Sequence, residues 1–312
     1  MTKLKHAIRN SIILLLVVLL TSFSLSCNYS TKGCTYTTEG TDPTFLTSLS
    51  DQVVDNNYSN MSYDEINKIY KSLKLRYSKN REDYDSDIIF ANFRNVKVGN
   101  IKDRILYRGA SPINNSYGRA KYVDKLLKEH NIKYDINLSD NDKSINRYFD
   151  KSDFDSYYFE SLYDNGKVLR LHMNTNYREK KYQERVVQAM VAMANNEGPY
   201  YIHCVEGKNR TGFVLLVIEG LAGASYEEML NDFMITFDNY YGININNDRE
   251  KYEIIKARYV DSMLRYLAGD SNKDIELKDL DYTNIMGRFL VENGMSLEDI
   301  DKWYKNLTNN AS

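Results

Sequence analysis

The stretch from Tyr200 to Gly223 limits the fold more than any other part of the chain. Tyr200-Tyr201-Ile202 is a short apolar run, the mark of a strand covered on both faces. Phe213 to Leu221 is apolar around nearly the whole helical circumference, which predicts a buried helix with Gly223 just beyond its end. A strand that turns this tightly into a helix aims a row of backbone N–H groups and the positive end of the helix at one point. That point suits an anion with three oxygens. Cys204 stands where the turn begins and Arg210 six positions later, with Gly207, Lys208 and Thr211 close by.

The residue types in this turn fit one chemistry. A thiol attacks poorly until it ionises, and a helix N-terminus with a nearby arginine lowers its pKa from about 8.5 into the range of roughly 3.5 to 7.5. The guanidinium of Arg210 is a planar fork matched to two phosphate oxygens. Backbone N–H groups from Val205, Glu206, Gly207, Lys208, Asn209 and Arg210 would hold the remaining oxygens as charge redistributes. Gly207 permits a backbone angle that a side chain resists. Thr211 is placed to donate to the sulfur. The expectation is covalent catalysis in which Cys204 takes a phosphoryl group that water then removes. A buried cysteine at a strand end is the plain alternative.

The run His203-Cys204-Val205-Glu206-Gly207-Lys208-Asn209-Arg210-Thr211-Gly212 resembles the signature of cysteine-dependent protein tyrosine phosphatases, and looks closest to their bacterial branch. The resemblance implies Cys204 as nucleophile and Arg210 as phosphate clamp. It extends to Leu106–Pro112, similar to the arginine-containing segment that opens such domains, and to Tyr134–Leu138, similar to their next core strand. One position departs: the family's loop usually carries aspartate where this chain has Asn209. Where that aspartate donates the leaving-group proton, asparagine cannot, so the acid has to come from elsewhere.

From the N-terminus, Lys3, Lys5 and Arg9 precede an apolar run, Ile12 to Leu20, and then small polar residues. Residues 1–26 therefore read as a secretory signal peptide, too short in its apolar part to span a bilayer comfortably. Cys27 follows Ser24-Leu25-Ser26, similar to a bacterial lipoprotein cleavage site, and lipidation of Cys27 is expected; cleavage without a lipid is the alternative. Either way the domain is exported, in the first case anchored at the outer face of a bacterial membrane. Cys27, Cys34 and Cys204 cannot build a disulfide framework without consuming the loop cysteine. Loss of residues 1–26 removes three basic residues and no acidic ones, leaving 38 against 43 and a net charge of −5. No nucleic-acid partner is expected from that balance, and attraction for phosphate has to be local.

Residues 27–60 are rich in Thr, Ser and Asn and read as a flexible tether. Residues 61–87 hold a helix from Ser62 to Tyr77, opened by a Ser62–Glu65 capping box, and then a charged linker. Residues 88–312 are assigned to the catalytic domain. Within it, Ile88 to Tyr107 alternates as two short strands around Gly99-Asn100, Tyr117 to His130 as a helix, and Ile132 to Leu138 and Val168 to Met173 as strands. Lys180 to Asn196 is a helix, and four more follow the loop helix. The fold class is α/β, a central, mainly parallel sheet flanked by helices, with extra C-terminal helices.

Loops at the C-terminal edge of such a sheet face the ligand crevice. Asp140, just past the strand ending at Leu138, is the first candidate for general acid, with Asp142 next; both also suit a turn. Arg108, at the end of its strand, is expected either against the phosphate or on the ordinary surface. Glu179 is the carboxylate in the loop where better-known relatives carry their acid, and it also suits the start of a helix. His172 reads as a strand histidine, and Tyr240 and Tyr241 as core or pocket rim. No cofactor and no metal site is expected. The substrate is a phosphorylated protein, phosphotyrosine first. A phosphoinositide or inositol phosphate is the alternative because Lys208 adds charge to the loop, and a phosphate-binding pseudophosphatase is a third reading raised by Asn209.

Overall fold

The computed structural model describes residue 58 and residues 61–272 and 274–309. The expected leader, Cys27 with its expected lipidation, and nearly all of the expected tether lie outside the described residues. Among those described, no helix is long and apolar enough to cross a membrane.

The chain enters with α1 (Tyr63–Ser72), started by the capping box between Ser62 and Glu65. Its one buried residue, Ile66, packs with Ile254 and Ala257. A short helical turn, α2 (Asp87–Phe90), follows, then β1 (Arg94–Asn95), β2 (Leu106–Gly109), α3 (Ala120–Glu129) and β3 (Tyr134–Asn137). Next come α4 (Asp142–Phe149), α5 (Tyr157–Asp164), β4 (Val168–Arg170), α6 (Lys180–Asn195), β5 (Tyr200–His203) and α7 (Asn209–Leu221). The remainder is helical: α8 (Tyr226–Tyr241), α9 (Arg249–Lys256) running through a π turn into α10 (Ser262–Ala268), α11 (Tyr282–Glu292) and α12 (Leu297–Leu307).

The five strands lie in the order β1-β2-β5-β3-β4, with only β1 antiparallel to its neighbour. The fold is thus the α/β arrangement expected. β5 is central, and its alternation feeds both faces. Tyr200 and Ile202 join the larger core with α6, α7 and α11, while Tyr201 joins Val123, Leu127, Ile145 and Phe159 on the other side. Eleven residues of α7, Thr211 to Leu221, are buried, which explains its apolar circumference.

Register decides where the functional end lies. Gly109, His203 and Asn137 are in line at the C-terminal ends of β2, β5 and β3. The loops that follow them therefore emerge side by side at one edge of the sheet.

Three expectations change. Ile88 lies in α2 rather than in a strand, because Ser86 Oγ caps the Ile89 amide at 3.2 Å and sets a helical turn that buries Phe90. Residues 142–164 carry two helices that the apolar spacing did not announce; α4 is opened by an Asn141–Ser144 capping box rather than the usual Ser/Thr-to-Glu form. The strand expected to reach Met173 ends at Arg170, and His172 lies beyond it, exposed and at φ +44°. The Leu171 and Met173 amides still bond Asn137 and Leu138 oxygens, at 2.9 and 2.8 Å.

Candidate active site

Between β5 and α7, residues 204–208 turn with their carbonyls tied outward to the protein. Cys204 O lies 3.1 Å from His203 Nδ1, and Val205 O accepts from the Ser111 amide at 3.1 Å. Glu206 O accepts from the Tyr240 hydroxyl at 2.7 Å, Gly207 O from Arg108 Nη2 at 3.0 Å, and Lys208 O from the Gly212 amide at 2.7 Å. A peptide unit bound through its oxygen on one side presents its N–H on the other. The Glu206 and Thr211 amides act on the Cys204 sulfur. Those of Val205, Gly207, Lys208, Asn209 and Arg210 meet no acceptor among the described residues. The result is a half-ring of free donors sharing a side with the sulfur, at the positive end of α7.

This geometry depends on Gly207. Its φ is +65°, and a Cβ built there would stand 2.1 Å from the Gly109 carbonyl oxygen. The loop thus lies directly against the end of β2.

Cys204 is buried, which pushes its thiol up. The Arg210 guanidinium, the Thr211 hydroxyl and the Thr211 and Glu206 amides outweigh that and hold the thiol below its ordinary value. The Thr211 hydroxyl is itself fully buried and makes no hydrogen bond at standard distances, so its hold on the sulfur is an electrostatic one. Arg210 is steadied by donating from Nη1 to the Met173 carbonyl at 3.0 Å. Behind the loop, the buried His203 lies 3.1 Å from Asp135. Burial alone would lower the imidazole, but Asp135 and the Cys204 carbonyl outweigh it and raise it, while burial also raises the Asp135 carboxyl.

Arg108 does not face the anion side and is not a surface arginine. It is 1% exposed, ion-paired with Asp232, and bound to the Gly207 carbonyl from behind. Burying a guanidinium requires a carboxylate, and Asp232 of α8 supplies it. Arg94 binds the same carboxylate at 2.8 Å. Burial pushes Asp232 up, but the two arginines outweigh it and hold it far below the usual carboxylate range. The neighbouring Glu219 of α7 is raised well above its ordinary value by burial and by Asp232. Asn92, fully buried, adds contacts to Gly207 O at 3.4 Å and Thr236 Oγ1 at 3.2 Å.

The β3 loop lies alongside. Asn137 Oδ1 accepts from the Ser139 and Asp140 amides, both at 2.9 Å, which curls the chain so that Asp140 turns inward. Asp140 is 5% exposed, and its carboxylate accepts from Ser139 Oγ at 3.0 Å. Asp142 is exposed and engaged elsewhere, with Arg170 at 3.1 Å and Tyr163 at 2.9 Å. Glu179 accepts from Asn174 at 2.5 Å and Asn176 at 3.0 Å, holding its own loop. The Asn209 side chain is exposed at the first position of α7.

Lys208 reaches away along the surface of the loop. Its ammonium lies 3.5 Å from Glu206 and donates to the Tyr241 hydroxyl at 2.9 Å. Tyr240 and Tyr241 thus both brace the loop as well as packing. The residues sequence reasoning missed are Asp232 and Asn92 behind the loop, and Tyr77, whose hydroxyl bonds the Glu206 carboxylate. No local pattern marks them, since each is joined to the loop across a large sequence separation.

A model of the tyrosine phosphatase family matches residues 90–309, which takes in every strand and all the loops just described. No curated protein matches the chain. From a family match over well more than half its length, the chain belongs to the tyrosine phosphatase family, a family of phosphoester hydrolases.

Proposed function

We propose that the chain removes phosphate from protein phosphotyrosine through a cysteinyl-phosphate formed at Cys204. The observation that supports this most is the half-ring of outward-tied peptides, whose free amides share a side with a thiol held below its ordinary pKa. The thiolate attacks phosphorus, an S–P bond forms, and the P–O bond to the leaving group breaks. The amides from Val205 to Arg210 and the Arg210 guanidinium hold the phosphoryl oxygens as charge shifts among them. Asp140 supplies the proton that the leaving oxygen takes, a role Asn209 cannot fill. Water then attacks phosphorus and returns a proton to Asp140, and the S–P bond breaks to restore the thiolate, stabilised by Thr211. Arg108 supports the loop and binds no phosphate.

The phosphoinositide reading rests on Lys208 adding charge to the loop, and its ammonium is already engaged by Glu206 and Tyr241. We propose further that Cys27 carries the lipid that anchors the exported domain.

The test is Cys204→Ser, which should abolish release of p-nitrophenol from its phosphate ester while inorganic phosphate still binds, measured by calorimetry. Equal inertness of wild type and variant would reject hydrolysis in favour of a binding role. Asp140→Asn should cut turnover of phosphotyrosine about 100-fold and that of p-nitrophenyl phosphate far less, because p-nitrophenolate leaves without a proton. Equal losses on the two substrates would remove Asp140 from the acid role.

A further inference from the structure

The family match begins at residue 90, yet residues 70–79 pack against the catalytic loop. The Tyr77 hydroxyl bonds the Glu206 carboxylate, and the Tyr77 ring stacks on Tyr240 at 4.9 Å and meets Tyr241 edge-on at 5.4 Å. Behind it the fully buried Arg119 is enclosed by rings, with Tyr77 at 4.7 Å and Tyr240 at 4.5 Å. The segment is therefore fixed on the loop rather than lying loosely over it.

Between the segment and the loop opens a recess of about 470 Å³. Lys71, Lys74, Arg76 and Lys79 line it from the segment, and Lys208 and Glu206 from the loop. The single carboxylate is already taken by Tyr77 and Lys208. The four segment cations are exposed, and no ion pair among the described residues neutralises any of them. So much positive charge of one sign beside the loop, on a chain with net charge −2, is local by construction.

We infer that this recess takes the acidic flank of the phosphorylated protein, reading carboxylates near the phosphotyrosine; the inference rests on the proposed phosphotyrosine substrate. The four cations stand on separate residues of the segment, Lys71 in the last turn of α1 and Lys74, Arg76 and Lys79 in the irregular stretch after it. Four cations on separate residues can each meet a different carboxylate of a peptide flank, each such exposed pair adding a little. Tyr77, Tyr117 and Tyr241 in the lining give the peptide's apolar stems a surface. The four segment cations precede the matched region, while Tyr117, Glu206, Lys208 and Tyr241 complete the recess from within it.

The experiment compares kcat/KM on two phosphotyrosine peptides, one flanked by Asp and Glu and one by Ala, at low salt. Wild type should prefer the acidic peptide roughly tenfold, from three or four exposed pairs each worth about twofold. The preference should fade as salt is raised through the Debye range. Lys71→Ala/Lys74→Ala/Arg76→Ala should reduce the ratio towards one, with the change in KM rather than kcat. An unchanged ratio in the variant, or no preference in wild type, overturns the inference. So does a variant that loses turnover on phosphoinositide vesicles while keeping its peptide ratio, which would give the recess to a membrane. Turnover of p-nitrophenyl phosphate is followed in parallel. If wild type is inert there, the proposed hydrolysis fails, and anisotropy of a labelled acidic peptide on wild type and variant still judges the recess.

Discussion

Gly207→Ala tests whether the loop's contact with the sheet sets the catalytic geometry. The glycine has φ +65°, and an added Cβ would lie 2.1 Å from Gly109 O and 2.4 Å from Gly109 C. Contacts of this kind are essentially never seen under 3.0 Å, so backbone must separate from backbone by about 0.9 Å. Neither side yields easily. Gly109 is locked in β2, paired with His203, and Gly207 O is held by Arg108. The loop shifts, and with it the amides of Gly207 and Lys208 that belong to the half-ring. A displacement near 1 Å in groups that position a reacting centre costs on the order of 100-fold in turnover. The left-handed backbone angle adds about 1 to 2 kcal/mol for a residue with a Cβ, or a fall in Tm of a few degrees in a domain of this size. The assay is kcat on p-nitrophenyl phosphate beside a thermal melt. Gly287→Ala serves as control, since a Cβ there meets nothing within 4 Å in α11, and alanine should raise stability by about 0.5 to 1 kcal/mol. Wild-type turnover in Gly207→Ala would refute the claim that the contact with β2 shapes the donor ring.

Three further outcomes are expected. Iodoacetate alkylation of Cys204 should reach its plateau at a pH below that of an ordinary thiol, and Arg210→Gln should move the midpoint upward; an unmoved midpoint would show that Arg210 does not stabilise the thiolate. Because the folded thiol titrates below its unfolded value, the thiolate's contribution to stability is full above about pH 8.5 and is lost as pH falls through the folded pKa. Asp232→Asn should cost about 3 to 5 kcal/mol, since it leaves Arg94 and Arg108 buried without their counter-charge, and Tm should fall by roughly 10 °C. The Asp232 carboxyl titrates below its unfolded value near 3.9, so this deficit should persist at all higher pH and shrink only in stronger acid; a deficit that appears only at alkaline pH would contradict the ion-pair account. Cys27→Ala should release the protein from the membrane fraction, and unchanged fractionation would remove the lipid anchor.

Much of the site was legible because its parts are adjacent in the chain. A strand, a five-residue turn and a helix N-terminus follow one another between Tyr200 and Leu221, so Cys204, the loop amides and Arg210 share one place whatever surrounds them. The place of Asp140 at the C-terminal edge of the sheet was reachable by a weaker argument, since a loop after a parallel strand emerges there. Arg108 was misjudged because its partners, Asp232 and Gly207, are 124 and 99 residues away. A sequence shows an arginine at a strand end but not the carboxylate that turns it inward.

What the sequence by itself determined is the set of local units: apolar periodicity dictates which segments become strands and helices, and residue spacing dictates the loop chemistry. What only the tertiary structure decided is how those units are held. The register of β2, β5 and β3, the burial of Arg108 over Asp232, and the seating of Tyr77 on Glu206 all come from contacts between residues distant in sequence. Such contacts are chosen by shape, desolvation and charge balance in the packed whole, and none of those is a property of a short window of residues.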